Sequence, residues 1–175
     1  LGRIRADKGV GELCEAAERI VSERADVDFY LAGEYHWMNP FAENRMVQIR
    51  RKGLQERIRF VGPIKDVFGL LRQCQIHVCP SVSSTESFPN VLLEAKSQRL
   101  PSVVFPTAGI PEAVTHDVDG YICKETTANA LYDGIRYFLD NPDRLRAAGQ
   151  AARQSLEKFS PERIGEHWAE LYKSL

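Results

Sequence analysis

Short apolar runs alternate with longer amphipathic stretches along the first 123 residues of the chain. The apolar runs predict six strands, at residues 1–4, 27–32, 58–61, 76–79, 102–105 and 121–123, the first run being only the end of a strand. The stretches between them carry apolar residues three or four positions apart, which predicts helices, the clearest at 10–24. From Thr127 onward only helical patterns remain.

The strand runs are nearly continuous in apolar residues, which is typical of strands buried on both faces. Their alternation with helices predicts an α/β fold: a Rossmann-like parallel sheet of about six strands, with helices on both faces and an all-helical C-terminal segment. The length of 175 residues, without repeat or linker, indicates a single domain, 1–175. The last helical pattern carries Ile164, Trp168 and Leu171 on one side. We expect this side to pack on the domain core, and the alternative is packing against a further domain outside these residues.

Composition and charge exclude several classes of function. Lys plus Arg number 23 and Asp plus Glu 24, so the basic excess of a general nucleic-acid binder is absent. No apolar run reaches the roughly 20 residues that cross a bilayer, and no leader pattern opens the chain, so we expect a cytoplasmic location. Cys14, Cys79 and Cys123 lie in apolar runs and are predicted to be buried free thiols. The histidines are scattered, so no metal site is expected.

Candidate chemistry lies in the loops that follow the strands, because ligands of open parallel sheets bind at the strands' carboxyl ends. The GxGxxG dinucleotide fingerprint and the Walker pattern are absent. At the carboxyl end of the first run, Arg3 and Lys8 place cations at this edge, and a guanidinium suits phosphate oxygens. After the fourth run, Pro89 begins a predicted helix over 89–98, whose N-terminal amides and dipole favour an anion. Together these groups predict a phosphate site.

Two glutamates flank the start of this helix. Glu86 precedes it and Glu94 lies within it, about 12 Å apart along the axis if the whole segment is helical. Glycosidase carboxyl pairs are closer, about 5 Å in retaining enzymes and under about 10 Å in inverting ones. The spacing instead suits the two ends of a long ligand, with sugar hydroxyls at one end, ribose hydroxyls at the other and phosphates between.

The segment from Glu86 to Glu94 resembles the E-x7-E motif of the retaining, family 4 glycosyltransferases of GT-B fold. Gly2-Arg3-Ile4 with Lys8-Gly9 is similar to that family's phosphate-binding Arg/Lys pair. Further short motifs follow in the family's order: Phe60-Val61-Gly62, Pro80-Ser81, Gly109-Ile110-Pro111-Glu112 and Asp119-Gly120. The resemblance covers essentially the whole chain. It implies the C-terminal, nucleotide-sugar-binding half of a two-domain enzyme, with the N-terminal acceptor domain absent from these 175 residues.

The resemblance also implies a role for each matching residue. Arg3 and Lys8 would hold the donor diphosphate and stabilise the leaving group, and Glu86 would face the transferred sugar. The remaining donor contacts would come from the backbone around Phe88, Pro89 and Asn90, from Glu94 at the ribose, and from the loop Gly62, Pro63 and Ile64 beside the base.

Such enzymes are similar in retaining anomeric configuration and in needing neither a metal nor another cofactor. The implied partners are a nucleoside diphosphate sugar and the N-terminal domain, with peripheral membrane association through that domain left open. The 175 residues alone are expected to bind the donor without turnover. Two readings with the same ligand remain open, a nucleotide-sugar 2-epimerase and a non-catalytic sugar-nucleotide-binding module. A flavodoxin-like signalling domain is disfavoured, because it needs acidic residues where this chain has Arg3 and Lys8.

Overall fold

The computed structural model describes residues 1–35, 40–82 and 88–174. Its strands are β1 (Phe29–Ala32), β2 (Ile58–Gly62), β3 (His77–Cys79), β4 (Ser102–Val104) and β5 (Gly120–Ile122). Its α-helices are α1 (Val10–Glu23), α2 (Pro40–Arg51), α3 (Val67–Leu71), α4 (Asn90–Ser97), α5 (Ala128–Leu139), α6 (Pro142–Ser155) and α7 (Pro161–Lys173). Short 3-10 turns lie at Ala6–Lys8, Ile110–Ala113 and Leu156–Phe159.

All strand pairs are parallel, as the apolar strand runs predicted. β1 pairs with β2, while β3, β4 and β5 form a second sheet in that order. Helices cover both faces, since β4 packs against both α4 and α5. The α/β fold class is therefore confirmed. The strand count was one too high, because the described residues form five strands in two sheets rather than one sheet of about six.

The predicted strand at residues 1–4 accounts for the difference. This segment is extended and follows the end of β1: the Gly2 amide donates to the Ala32 carbonyl (3.0 Å) and the Ile4 amide to the Glu34 carbonyl (2.9 Å). A Cβ atom at Gly33 would lie 1.7 Å from the Gly2 carbonyl oxygen, so the close approach of the two segments requires glycine there. The prediction of a strand was wrong because the segment meets only the tail of β1, and two hydrogen bonds do not make a ladder.

The apolar faces of α1 and α5 meet over the sheets. Ile20 of α1 and Leu131, Ile135 and Phe138 of α5 are at most 2% exposed and pack with Val103 of β4. A second cluster gathers Ile4, Val10, Ala17, Leu31 and Ile58 around β1 and β2. The amphipathic periodicity of residues 10–24 therefore marked a true core face.

The C-terminal segment is helical, as predicted, but its last helix does not pack as expected. In α7, Ile164, Trp168 and Leu171 are 43%, 54% and 50% exposed. The helix follows the short turn Leu156–Phe159 and buries none of its residues. The expectation that its apolar side packs on the core was wrong, because among the described residues nothing covers that side.

The predicted burial of three cysteines is confirmed. Cys14, Cys79 and Cys123 are buried, and none of them forms a disulfide within the described residues. Burial raises the pKa of the Cys14 and Cys123 thiols to about 12. These thiols are therefore core groups rather than nucleophiles. Within the described residues, no helix has the length and apolar character to cross a membrane.

Candidate functional site

A cavity of about 740 Å³ opens at the carboxyl edge of the strands and continues between the two sheets. Seven of the predicted site residues line it: Arg3, Lys8, Pro63, Ile64, Pro89, Asn90 and Glu94. These residues come from three separate parts of the chain. The parallel topology brings them together, since successive strands deliver their following loops to one edge.

The loop that carries Lys8 is fastened to the end of β3. The Val82 amide donates to the Asp7 carbonyl (3.1 Å), and the Ser81 hydroxyl donates to the same oxygen (3.4 Å). Gly9 then turns the chain into α1 with φ of 65°. A Cβ atom at Gly9 would lie 1.8 Å from the Pro80 carbonyl oxygen, so only glycine allows this contact. The cationic loop is thereby held beside the segment that leads towards α4.

The helix α4 begins at Asn90, one residue later than predicted, because Pro89 adopts an extended conformation and serves as the N-cap. The Leu92 amide donates to the Pro89 carbonyl at 3.0 Å. Amides in the first turn of a helix have no partner within the helix, and they direct donors and a positive dipole end outward. Since Pro89 and Asn90 line the cavity, this helix end offers it an anion-binding group.

The other end of α4 is anchored by an ion pair that the sequence reasoning missed. Lys96 Nζ lies 2.6 Å from Asp119 Oδ2 and donates to the Ser155 hydroxyl at 2.7 Å. The Thr115 amide donates to Asp119 Oδ1 at 2.7 Å. Lys96 is 0% exposed and Asp119 2%. The pair ties α4 to β5 and α6, and it fixes the helix that reaches the cavity. Its only sequence signal was a lysine within an otherwise apolar helix face.

Two predicted site residues, Gly62 and Phe88, do not line the cavity, and a third is not described. Gly62 lies beside the cavity rather than in its lining, and its carbonyl accepts the Gly33 amide at 2.8 Å. The Phe88 ring packs on Phe159, with 5.3 Å between ring centroids. Glu86 lies outside the described residues, and its predicted role facing the sugar stays a prediction.

The cavity edge also contains groups that the sequence reasoning did not assign. Glu34 follows β1 and Ser81 follows β3, and both line the cavity. For both residues, the signal in the sequence was their position shortly after a predicted strand. The edge therefore combines cations from the first loop with the carboxylates of Glu34 and Glu94. Among the described residues, no group of three or more His, Cys, Asp or Glu side chains could hold a metal ion. The expectation of a metal-free site stays a prediction.

The parallel sheets, the covering helices and a cavity at the carboxyl edge define a Rossmann-like α/β domain. Within that class, the family model for Glycosyl transferases group 1 matches residues 1–141, and the chain belongs to this family. The resemblance to GT-B glycosyltransferases indicated by the motifs is thereby confirmed.

A sequence relative and a solved structure are both similar to this chain over nearly its whole length. The N-acetyl-alpha-D-glucosaminyl L-malate synthase of Bacillus anthracis is 27% identical over 173 residues, which cover 98% of this chain and 44% of the synthase. Crystallised Anabaena HepE in complex with UDP has a TM-score of 0.86 and 23% identity, over 99% of this chain and 48% of HepE. HepE has also been crystallised with UDP-glucose.

The solved structure of a separate C-terminal domain of similar length is also similar to this chain. The C-terminal domain of the glycosyl transferase group 1 family protein LpcC from Francisella tularensis has a TM-score of 0.80 and 23% identity. The match covers 90% of this chain and 82% of that domain. In contrast, the chain spans about half the length of the Bacillus synthase and of HepE.

Proposed function

We propose that the chain is the donor-binding domain of a retaining glycosyltransferase. It binds a nucleoside diphosphate sugar and, with an N-terminal acceptor domain, transfers the sugar to an acceptor with retention of anomeric configuration. The observation that carries the proposal is the convergence of Arg3, Lys8 and the N-terminus of α4 on one cavity at the carboxyl edge. The complexes of HepE with UDP and UDP-glucose support a donor of this chemical class.

The diphosphate lies between the cationic loop and the start of α4. Arg3 contributes a planar set of N–H donors and Lys8 a mobile point charge, while the first amides of α4 contact phosphate oxygens. Pro89 has no N–H to donate, so these contacts begin at Asn90. During transfer, the bond between the sugar and the diphosphate breaks and its electron pair leaves with the diphosphate. Arg3 and Lys8 stabilise that growing negative charge without requiring a metal ion.

The two ends of the donor are held by other residues. Glu94, on the cavity side of α4, accepts hydrogen bonds from the ribose hydroxyls. Pro63 and Ile64 supply apolar surface beside the base, with Gly62 setting the turn after β2 at φ of 69°. The predicted role of Glu86, which lies outside the described residues, is at the transferred sugar. There the sugar carbon bonds to the acceptor oxygen, and the acceptor's proton passes to an oxygen of the departing diphosphate.

Calorimetric titration with UDP and GDP tests the diphosphate contacts. Arg3→Ala and Lys8→Ala are each expected to weaken binding about 10- to 100-fold, the loss of a hydrogen bond to a charged group. Arg5→Ala is the matched control, because Arg5 lies in the same loop but pairs with Asp7 at 2.9 Å. We expect its affinity to stay within about twofold of wild type. Unchanged affinity in both Arg3→Ala and Lys8→Ala would contradict the proposal.

The second part of the proposal is the need for an acceptor domain. The 175 residues alone are expected to bind the nucleotide but to release no diphosphate from UDP-glucose in the presence of simple sugar or lipid acceptors. Sugar transfer by this domain alone would show that the acceptor site lies within it. Loss of nucleotide binding would instead contradict the donor site itself, so the two failures are distinguishable.

A further inference from the structure

One short segment, residues 155–159, is linked to both ends of α4. At the C-terminal end, Lys96 lies in the last turn of α4 and donates to the Ser155 hydroxyl at 2.7 Å. At the N-terminal end, the Phe159 ring packs on the Phe88 ring, with 5.3 Å between centroids and an angle of 53° between the ring planes. The segment therefore supports the helix that reaches the cavity at two points.

Phe88 occupies the position directly before the N-cap of α4. Pro89 is the N-cap, with φ of −75° and ψ of 114°, and Asn90 begins the helix. An apolar residue before an N-cap commonly packs against the start of its helix, and this contact fixes the angle at which the chain enters the helix. The Phe88 ring packs against the buried cluster that contains Leu92 and Ile110. The position of this ring therefore sets the direction of the first turn of α4.

The start of α4 depends on packing more than the starts of other helices do. Thr127 at α5 and Ser160 at α7 each accept a hydrogen bond from a first-turn amide with their side chains. Pro89 has no side-chain group that can do this, and no such bond holds the start of α4. An aromatic pair contributes to stability beyond the area it buries, so the contact of Phe159 with Phe88 is a substantial part of what orients this turn.

We propose that Phe159 is a positioning residue of the donor site. Its ring holds Phe88, and Phe88 holds the first turn of α4 in the orientation that directs its backbone amides at the diphosphate. Phe159 is not among the described residues that line the cavity, whereas Pro89 and Asn90 are. It therefore acts through Phe88 and the helix start rather than by contact with the ligand. The inference rests on the proposed function, because it takes the donor diphosphate as the anion bound at this helix end.

Calorimetric titration of Phe159→Ala with UDP, inorganic pyrophosphate and uridine tests this role. We expect UDP and pyrophosphate to bind about three- to tenfold more weakly, the loss of an aromatic pair, because both ligands present the diphosphate to α4. Uridine has no phosphate, so its affinity should stay within about twofold of wild type. Phe159→Tyr keeps the ring, and Phe159 is partly exposed, so this variant should bind both phosphate ligands as wild type does.

Amide hydrogen exchange without ligand follows the helix start directly. The Leu92 amide donates to the Pro89 carbonyl at 3.0 Å, and we expect Phe159→Ala to speed its exchange at least about threefold. The Phe29 amide, which donates to the Arg57 carbonyl in the other sheet, is the internal reference. Its exchange rate should stay within about twofold of wild type.

Tyr137→Ala is the matched control. Tyr137 is also partly buried, and its ring centroid lies 5.0 Å from that of Tyr121, but neither residue is among those described in the cavity lining. We expect UDP affinity and Leu92 exchange in this variant to stay within about twofold of wild type. Circular dichroism confirms that each variant is folded. If Phe159→Ala is not, Phe159→Leu takes its place, because it removes the ring but keeps apolar volume.

Several results would overturn the positioning role. One is an affinity of Phe159→Ala for UDP within about twofold of wild type while Arg3→Ala weakens binding, which would leave the donor site itself supported. Others are an equal loss of uridine affinity, an unchanged Leu92 exchange rate, or an equal loss of UDP affinity in Tyr137→Ala, since each would point to a general effect on the fold. A wild-type chain that binds neither UDP nor pyrophosphate would instead contradict the proposed function, and the positioning role with it.

Discussion

Removing the charge of Lys96 is expected to destabilise the domain strongly, although Lys96 lies outside the cavity. Its ammonium group is 0% exposed and has two partners, Asp119 at 2.6 Å and Ser155 at 2.7 Å. Breaking a buried ion pair by removing one partner costs about 3–5 kcal/mol, because the other charge stays buried without compensation. With a urea m-value of about 2 kcal/mol per molar, Lys96→Met should lower the unfolding midpoint by about 1.5–2.5 M.

The double variant separates the charge from the packing. Lys96→Met with Asp119→Asn removes both charges but keeps an acceptor for the Thr115 amide, so most of the lost stability should return. Lys124→Met is the matched control, since Lys124 is exposed and its replacement should change stability by less than about 0.5 kcal/mol. A urea unfolding midpoint for Lys96→Met within about 0.3 M of wild type would refute this reasoning. It would show that the buried charge of Asp119 does not need Lys96 as its partner for the domain to be stable.

The pH dependence of Asp119→Asn provides a second check. Burial lowers the pKa of Lys96, and Asp119 partly opposes that shift, so loss of Asp119 should lower it further. A lysine with a lowered folded-state pKa destabilises the fold while it is protonated. As pH rises through that pKa towards 10.5, the unfolded state binds more protons than the folded state, and stability is regained. Urea midpoints of Asp119→Asn should therefore approach wild type with increasing pH, and a constant difference would argue against this assignment.

Three further outcomes are expected. Glu94→Gln should weaken UDP binding more than pyrophosphate binding in calorimetry, because only UDP carries a ribose; equal losses would remove the ribose assignment. Gly9→Ala should lower the free energy of unfolding by at least about 2 kcal/mol, because φ is 65° and the new Cβ meets a carbonyl oxygen. Gly165→Ala is the control, because open space surrounds Gly165, and it should not lower the free energy of unfolding in this way. Cys14 and Cys123, with pKa values of about 12, should react with a thiol reagent at pH 8 at least about a hundredfold more slowly in the folded than in the urea-unfolded chain.

The main difference between prediction and structure concerns long-range pairing. The apolar run at residues 1–4 predicted a strand, but a strand exists only where a partner supplies a ladder, and this segment meets only the end of β1. The amphipathic pattern around Trp168 likewise predicted core packing, yet the side chain is 54% exposed. A pattern shows that a face is apolar without showing what covers it.

The sequence predicted those parts of the candidate site that follow from the order of strands and helices along the chain. Arg3 and Lys8 lie at and after the first apolar run, and Glu94 lies within the helix after the fourth run. Hydrophobic periodicity gave the order of these elements, and parallel topology brings the three residues to one edge. The Lys96–Asp119 pair was not predictable, because its two members are distant in sequence and both residue types are normally exposed.

Sequence alone determined the fold class, the parallel direction of the strands and the group of loops that could carry chemistry, because periodicity and turn residues are local properties. Only the tertiary structure decided that seven residues share one cavity, that Phe88 turns its ring towards Phe159, and that Lys96 pairs with Asp119. These features depend on contacts between residues far apart in the chain, where geometry rather than local preference sets the free energy.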